Sequence, residues 1–415
     1  MDNPLVASNM LQDTFPQMPV GEAFQALFDA SAAKAERFAV LVIRIDDLDK
    51  TLKHFGEDIA LGIVSRLARI IDALSKTHPI KWGRLNEDRF ACFCPDMDEA
   101  VAVRSARQIQ QRLAVPDEQS VSIGIAVYPF WPFERKTILA NAQKALDHAA
   151  FFGPGAVTPF DAVSLNISAD KLYQYGDMDG AIEEFEKALA VDPKNVNVHN
   201  SLGVCHGVRG DLDLAIDAFK TAIALDPEDV MATYNLGLAH LKQGNRDKAL
   251  ELFLEAHGLD GEHPDIACQI GLCYRDMGRT GAALGFLEKA ARTTPKWGHV
   301  FRALGDCYLE KDRLPEAVKA YEKAIKRHPT DPKSLSALGH LYGELGENIE
   351  IAIMLCREST TLDPDNGLFR YRLGRLYLQQ QDYEKAIEQL KKAADLGEDC
   401  KELLLEAEGA MAWKP

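Results

Sequence analysis

The sequence predicts a multidomain chain in which an N-terminal α/β domain (residues 1–160) is followed by an all-α solenoid (162–397) and a C-terminal capping helix and tail (398–415). Two observations carry this prediction. Glycines recur every 34 residues at Gly203, Gly237, Gly271, Gly305 and Gly339, and then after 35 residues at Gly374. Residues before 160 show no such period and instead alternate apolar runs with amphipathic segments. A period near 34 residues is typical of stacked helical hairpins.

The α/β prediction for the first 160 residues rests on alternating strand and helix patterns. Short apolar runs flanked by polar residues indicate buried strands, and apolar residues at helical spacing indicate amphipathic helices. Strands are predicted at 38–43, 89–94 and 120–127, and helices at 58–74, 99–113 and 137–149. Such alternation over about 150 residues is typical of one α/β domain.

Several local strings in this region resemble one enzyme family in the same order. Ile43-Arg44-Ile45-Asp46 fits a first core strand, 84–90 stands where a signature hairpin belongs, and Ser122-Ile123-Gly124 fits a later strand. The ordered set resembles the GGDEF domain of diguanylate cyclases. This resemblance implies a central, mostly antiparallel sheet with flanking helices. It also implies a site that joins two GTP molecules with the help of a divalent metal.

The residues at the matching catalytic positions do not suit that chemistry. Arg44 stands in the place of the first metal-binding aspartate, and a guanidinium cannot ligate a cation. Asn86 and Glu87 replace the glycine pair that lets the nucleotide approach the backbone. We therefore expect no diguanylate cyclase activity and no cofactor. If a nucleotide or metal does bind, Asp46 and Asp88 are the candidate ligands.

Two further features of the α/β domain have competing interpretations. Asp46, Asp47 and Asp49 form an acidic cluster after a strand, which suits either a metal site or, as favoured here, a solvated loop at a helix start. The aromatic run 128–133 either packs against the domain's own sheet or exposes a docking patch of Phe130, Trp131 and Phe133.

The repeats read as pairs of amphipathic helices. In the unit that begins near residue 298, small residues stand at Gly305, Ala317 and Ala324, an aromatic at Tyr308 and a helix-ending proline at Pro329. This pattern resembles the tetratricopeptide repeat (TPR). We count seven units, of which the first has alanine in place of the glycine and the sixth has one extra residue near 348–351, where a local distortion is expected.

The TPR resemblance implies that the first helix of each pair lines an inner, concave face. The residues predicted to line this groove are Tyr234, Leu238, Lys242, Arg275, Arg302 and Asp306. An aromatic anchor flanked by arginines suits an extended or helical peptide. The alternative is a solvated concave face with no ligand.

Composition narrows the class of partner. The chain has 415 residues and a net charge of −16, most of it in the repeats. An acidic solenoid is a poor binder of nucleic acid.

No apolar run is long enough for a membrane span and no secretory signal is visible. The eight cysteines are scattered, which predicts no metal or disulfide framework and a reducing, cytoplasmic setting; the oligomeric state is open.

These observations favour an interaction scaffold, in which the repeats hold a protein or peptide and the GGDEF-like domain acts as a docking or regulatory module without catalytic activity. The alternative is a non-catalytic sensor of GTP or cyclic di-GMP coupled to the repeats. An unfamiliar enzyme using Asp46 and Asp88 is a third reading, and no nucleophile–base pair in the sequence supports it.

Overall fold

A computed structural model describes residues 7–114 and 119–412. The ends of the predicted outer segments, 1–6 and 413–415, lie outside the described residues. The chain divides into two compact units, Met1–Pro227 and Glu228–Pro415. The change from α/β to all-α structure falls near residue 160, inside the first unit, so two helical hairpins belong to the same unit as the sheet.

The first unit is built around a five-stranded sheet in the order β2-β3-β1-β4-β5. Three of its strand pairs are antiparallel and the β4–β5 pair is parallel, so the sheet is mostly antiparallel as expected. The strands are β1 (Phe38–Ile45), β2 (Lys81–Arg84), β3 (Arg89–Pro95), β4 (Val121–Tyr128) and β5 (Val157–Pro159).

Helices cover both faces of this sheet. Side chains alternate across a strand, and both faces of β1 are buried: Leu41 and Ile43 pack on one side, and Val40 and Val42 on the other. The helices of the α/β region are α1 (Ala7–Thr14), α2 (Glu22–Ala32), α3 (Leu48–Phe55), α4 (Glu57–Ser75), α5 (Glu99–Ala114) and α6 (Ile138–Ala149).

The first helical hairpin shares a core with the second face of the sheet. Its helix α7 (Ala162–Gln174) begins at Asp161, which accepts a hydrogen bond from the Ser164 amide at 2.8 Å. Leu165 and Phe185 pack in the same cluster as Val40. A buried ion pair joins Lys144 of α6 to Glu184 of the hairpin's second helix, α8 (Met178–Val191). The first hairpin therefore covers one side of the α/β domain.

Fourteen helices among the described residues form seven antiparallel pairs, as the glycine period predicts. After α7 and α8 they are α9 (Val196–Arg209), α10 (Leu212–Leu225), α11 (Val230–Lys242), α12 (Arg246–Leu259), α13 (Pro264–Asp276), α14 (Thr280–Thr293), α15 (Gly298–Glu310), α16 (Leu314–Arg327), α17 (Pro332–Glu344), α18 (Ile349–Leu362), α19 (Gly367–Gln379) and α20 (Tyr383–Asp395). A final helix, α21 (Lys401–Ala412), packs on the last pair through Leu403 and Leu404, together with Cys400 just before it.

The repeating glycines lie where the two helices of a pair come closest. A Cβ atom added at Gly305 would lie 2.7 Å from the ring of Tyr321, and one added at Gly237 would lie 2.6 Å from the ring of Phe253. Tyr321 cannot move away freely, because it is buried and donates a hydrogen bond to Asp306 at 2.7 Å. Packing between helices therefore explains why glycine is tolerated inside these helices despite its low helix propensity.

The sixth pair absorbs its extra residue in the turn rather than in a helix. Helix α17 ends at Glu344 and α18 begins after Asn348, whose side chain accepts a hydrogen bond from the Ile351 amide at 3.3 Å. Both helices remain continuous α-helices. The distortion expected from the sequence is thus confined to residues 345–348. In the described part of the chain, none of the helices combines the length and hydropathy needed to cross a bilayer.

Replacing Gly305 by alanine tests the close approach directly. We expect Gly305→Ala to lower the free energy of unfolding by about 1–3 kcal/mol, because the methyl group overlaps the hydrogen-bonded Tyr321 ring. Gly285 of α14 is the matched control, since it is exposed and nothing lies within 4 Å of its missing Cβ. Gly285→Ala is expected to stabilise the helix by up to about 1 kcal/mol. Thermal melting followed by circular dichroism measures both; equal effects would contradict the packing argument.

Candidate functional site

A cleft of about 370 Å³ opens in the α/β domain at the end of β1, where the GGDEF resemblance places the nucleotide and metal. Arg44, Asp46 and Asp88 line it together with the start of α3. On the side after α6 its wall is formed by Ala150 and Gly153. The structure thus brings together Asp46 and Asp88, the two ligands considered from the sequence.

The Asp46 carboxylate is already occupied by donors of the protein itself. Oδ1 accepts from the Ser122 hydroxyl at 2.7 Å. Oδ2 accepts from the Ser120 hydroxyl and from the Gly155 amide, each at 2.8 Å. Asp46 is buried, with 6% of its surface exposed. The expectation of a solvated loop is therefore wrong for Asp46, because its side chain joins β1 to β4 and to the segment before β5.

The cleft does not offer a donor set for a divalent metal. The Arg44 guanidinium lies 3.9 Å from Asp46 Oδ1 and faces Arg89 across the β1–β3 pair. Asp88 is about one-third exposed and lies 3.6 Å from Arg89. Across residues 7–114 and 119–412, no three side chains of the metal-ligating types meet in one group. A metal bound as in active GGDEF domains does not fit these residues, since one ligand position carries a cation.

The aromatic run is divided between packing and exposure. The rings of Phe130 and Phe133 lie 5.4 and 5.3 Å from Phe160 and pack against the second face of the sheet. Trp131 projects from the tight turn between them with 83% of its surface exposed. Two of the three residues considered as a docking patch are thus used in the domain's own core, and Trp131 alone of the three is exposed.

Substituting Asp46 separates a structural role from metal binding. We expect Asp46→Asn to lower the free energy of unfolding by about 1–3 kcal/mol, because the amide loses charge-assisted acceptance from Gly155. Asp47→Asn is the control: Asp47 is half exposed, has a left-handed backbone (φ 54°) that asparagine tolerates, and pairs with Lys50 on the surface. Thermal melting with and without Mg²⁺ is the measurement. Loss of a Mg²⁺ effect in Asp46→Asn with unchanged metal-free stability would contradict the structural role.

In the second unit, Tyr234 packs between neighbouring helices instead of standing open in the groove. Its ring centroid lies 5.6 Å from Phe253 and 6.4 Å from His263, and 8% of its surface is exposed. Burial raises the pKa of the Tyr234 phenol to about 12. The sequence-based expectation of an aromatic anchor is corrected accordingly, since Tyr234 supports the wall formed by the half-buried Leu238 and the exposed Lys242.

The charged groove residues form ion pairs between successive repeats. Arg275 of α13 lies 3.6 Å from Asp306 of α15, and Arg302 of α15 lies 2.9 Å from Asp331, the residue before α17. Burial raises the pKa of the Asp306 carboxyl, which also accepts the hydroxyl of Tyr321. Arg275 and Arg302, which the sequence pattern predicted to bind a partner, are thus already paired with carboxylates of the protein itself.

Arg372 of α19 is the groove cation that the sequence reasoning missed. Its guanidinium donates a hydrogen bond to the Ser336 hydroxyl at 3.2 Å. Among the described residues, no carboxylate lies within ion-pair distance of Arg372. Burial lowers the pKa of Arg372. It lines two depressions, of about 450 and 360 Å³, bordered by Lys333 on one side and His340 on the other. The sequence does contain a signal for Arg372, because it is charged where the earlier repeats are not. At the equivalent position, repeats three to six carry Asn235, Gln269, Ala303 and Ala337.

His340 gives this part of the groove a pH dependence. Burial, reinforced by the nearby positive charge of Arg372, lowers the pKa of His340 from 6.5 to about 4. Between pH 6.5 and about 4, the imidazole of the folded protein therefore stays neutral while that of the unfolded chain takes up a proton. Stability from this residue is present above pH 6.5 and is lost as the pH falls towards 4.

We expect His340→Gln to remove this contribution. The difference in melting temperature between wild type and His340→Gln should be constant above pH 6.5 and should shift in favour of the variant between pH 6.5 and 4. Thermal melts across this range measure it. A difference that does not change with pH would show that His340 titrates alike in both states.

Comparison with known proteins gives two kinds of match. The family model for the diguanylate cyclase GGDEF domain matches residues 17–151. Models for tetratricopeptide repeats match residues 206–264 and 347–407, and a TPR repeat model matches 169–207 and 305–346.

Three proteins illustrate what the chain is similar to. The bifunctional diguanylate cyclase/cyclic di-GMP phosphodiesterase MucR of Pseudomonas aeruginosa is 27% identical over 170 residues, which is 38% of this chain and 24% of MucR, so the match spans about a quarter of that relative. A crystal structure of MamA is 30% identical, with 40% of this chain and 96% of that chain covered and a TM-score of 0.36. PilF of Pseudomonas aeruginosa is 20% identical, with 50% and 95% covered and a TM-score of 0.47.

Proposed function

Because the chain contains a GGDEF domain followed by tetratricopeptide repeats, we propose that it is a protein-interaction scaffold whose repeats bind a protein or peptide. The GGDEF domain serves as a docking or regulatory module and not as a cyclase. The eight cysteines, all within the described residues, are buried and unpaired, which supports a reducing compartment such as the cytoplasm.

The observation that carries the proposal is the Arg372 guanidinium in the concave groove. A partly desolvated charge without a carboxylate partner is unfavourable by itself, and an incoming carboxylate or carbonyl oxygen relieves that cost. Arg275 and Arg302 already have carboxylate partners and offer less to a ligand. The partner is therefore expected to bind over the last three repeats, beside Lys333 and His340.

The proposal that the GGDEF domain lacks cyclase activity rests on the occupancy of Asp46 and on the charge of Arg44. The carboxylate oxygens of Asp46 accept three protein donors, and the guanidinium of Arg44 lines the cleft where the family binds a metal. A bound metal ion stabilises the charge of a transition state by several kcal/mol. A cleft that cannot hold the metal loses about that much stabilisation.

The binding role of Arg372 is tested by capture from the native cell. Arg372→Met keeps the length and apolar stem of the side chain and removes its charge. We expect a protein captured by the wild-type chain to be lost with Arg372→Met and kept with Arg357→Met, an exposed arginine on the second helix of the sixth pair. Quantitative mass spectrometry of the captured proteins is the measurement. Equal capture by both variants would place the binding surface elsewhere.

The nucleotide-sensor alternative is tested by calorimetry. We expect GTP and cyclic di-GMP, each with and without Mg²⁺, to bind more weakly than about 10 μM, or about −7 kcal/mol. An incubation with GTP and Mg²⁺ should yield no cyclic di-GMP. Tighter binding without turnover would favour the sensor, and formation of the product would refute the proposed loss of activity.

A further inference from the structure

The second helices of the fourth and fifth pairs border a recess of about 570 Å³ in the second unit. It lies between α14 and α16, and its floor is the side of α15 that carries Phe301, Leu304 and Tyr308. None of the residues predicted to line the concave groove lines this recess, and neither does Arg372. The recess is therefore separate from the surface in the proposed function.

The recess exists because two positions that carry aromatic side chains in the preceding repeat carry alanine in this one. At the junction of the third and fourth pairs, His257 and Phe286 contact each other at 5.4 Å, and Phe286 lies 5.9 Å from Tyr274. Thirty-four residues later the equivalent positions are Ala291 and Ala320.

The tyrosine on the floor is kept, since Tyr308 stands where Tyr274 does. At the next junction the same two positions are again large, Ile325 and Leu355, and they pack beside Tyr342. The space that large side chains fill at both neighbouring junctions is thus open at this one.

Exposed cations surround this apolar floor. Lys319, Lys323, Lys326 and Arg327 line the α16 side, and Arg292 lines the α14 side. No carboxylate in the described chain lies within ion-pair distance of these five side chains; Lys323 instead lies over the ring of Phe301 at 5.5 Å. The two acids at the rim are engaged, because Glu288 accepts the Tyr308 hydroxyl at 2.8 Å and Glu316 pairs with Arg313 at 2.9 Å.

We propose that this recess docks an acidic segment of a partner protein that inserts one large apolar or aromatic side chain over Tyr308. Charge complementarity selects the partner: five unpaired cations stand on the rim within a chain of net charge −16. The anchor replaces the side chains that His257 and Phe286 supply one repeat earlier, and carboxylates on either side of it pair with Lys319 and Lys323.

A defined probe tests this on the full chain. The probe is a synthetic amphipathic helix of about four turns with leucine and one tryptophan on one face and glutamates beside them. The expected result is saturable binding by fluorescence anisotropy that weakens with salt. The same peptide with lysine in place of glutamate should not bind. Equal binding of both peptides, or no binding of the acidic one up to about 1 mM, would overturn the proposal.

Three variants locate the binding. Ala291→His with Ala320→Phe copies the filled junction one repeat earlier, so it should keep the helical signal, melt no lower than wild type and lose binding at least tenfold. Lys319→Glu with Lys323→Glu should weaken binding at least tenfold through charge. Lys220→Glu with Lys401→Glu is the matched control, since both lysines are exposed and neither lines the recess; this variant should bind as wild type does.

Unchanged binding in the filled variant would overturn the proposal, and so would equal loss in the control. Vesicles of phosphatidylglycerol test a different occupant. If they bind the wild-type chain and lose binding when the recess is filled, while the peptide does not bind, the recess is a lipid site and the protein partner is refuted. The capture test on Arg372 is independent of all these outcomes, because Arg372 does not line the recess.

Discussion

The close approach of two helices within each pair is the constraint on which the repeat architecture depends. A side chain of the second helix, such as Phe253 or Tyr321, packs against a first-helix backbone that has no Cβ at Gly237 or Gly305. This contact sets the distance between helices, and the distance sets which positions face the groove, which face the next repeat and which face outwards. The Tyr321 hydroxyl then orients Asp306, so the packing contact also fixes a charge in the groove.

A comparable constraint acts in the α/β domain, where the buried Asp46 carboxylate holds separate segments together. Asp46 joins β1, β4 and the segment before β5 through three hydrogen bonds. A carboxylate held in this way stabilises the packing around the end of β1, and removing Ser122, the one hydroxyl donor to Oδ1, would leave a buried acceptor unsatisfied. With Arg44 beside it, the cleft carries its own cation. The GGDEF domain is thus present, and in its cleft Asp46 makes hydrogen bonds within the protein itself.

The sequence predicted the architecture better than the sites. The 34-residue period predicted the helix pairs from α7 to α20, because the packing that selects each glycine is local to one pair. The burial of Asp46 was missed, since its donors Ser120 and Gly155 are distant in the chain and meet it only in the folded sheet. Tyr234 was misjudged because a family position indicates a helix face and not how deeply a ring packs. Arg372 and the alanine pair at 291 and 320 are visible when equivalent positions of successive repeats are compared, which shows that departures from a repeat carry information that the repeat itself does not.

The central claim is that the repeats, and not the GGDEF cleft, hold the partner. Hydrogen exchange on the full chain, measured with and without a captured partner, tests it most directly, because exchange reports protection segment by segment. The account predicts slower exchange in α17 and α19, which border Arg372, with no change at 43–50 and 84–90 around the cleft. Protection confined to those two cleft segments, with α17 and α19 unchanged, would contradict it.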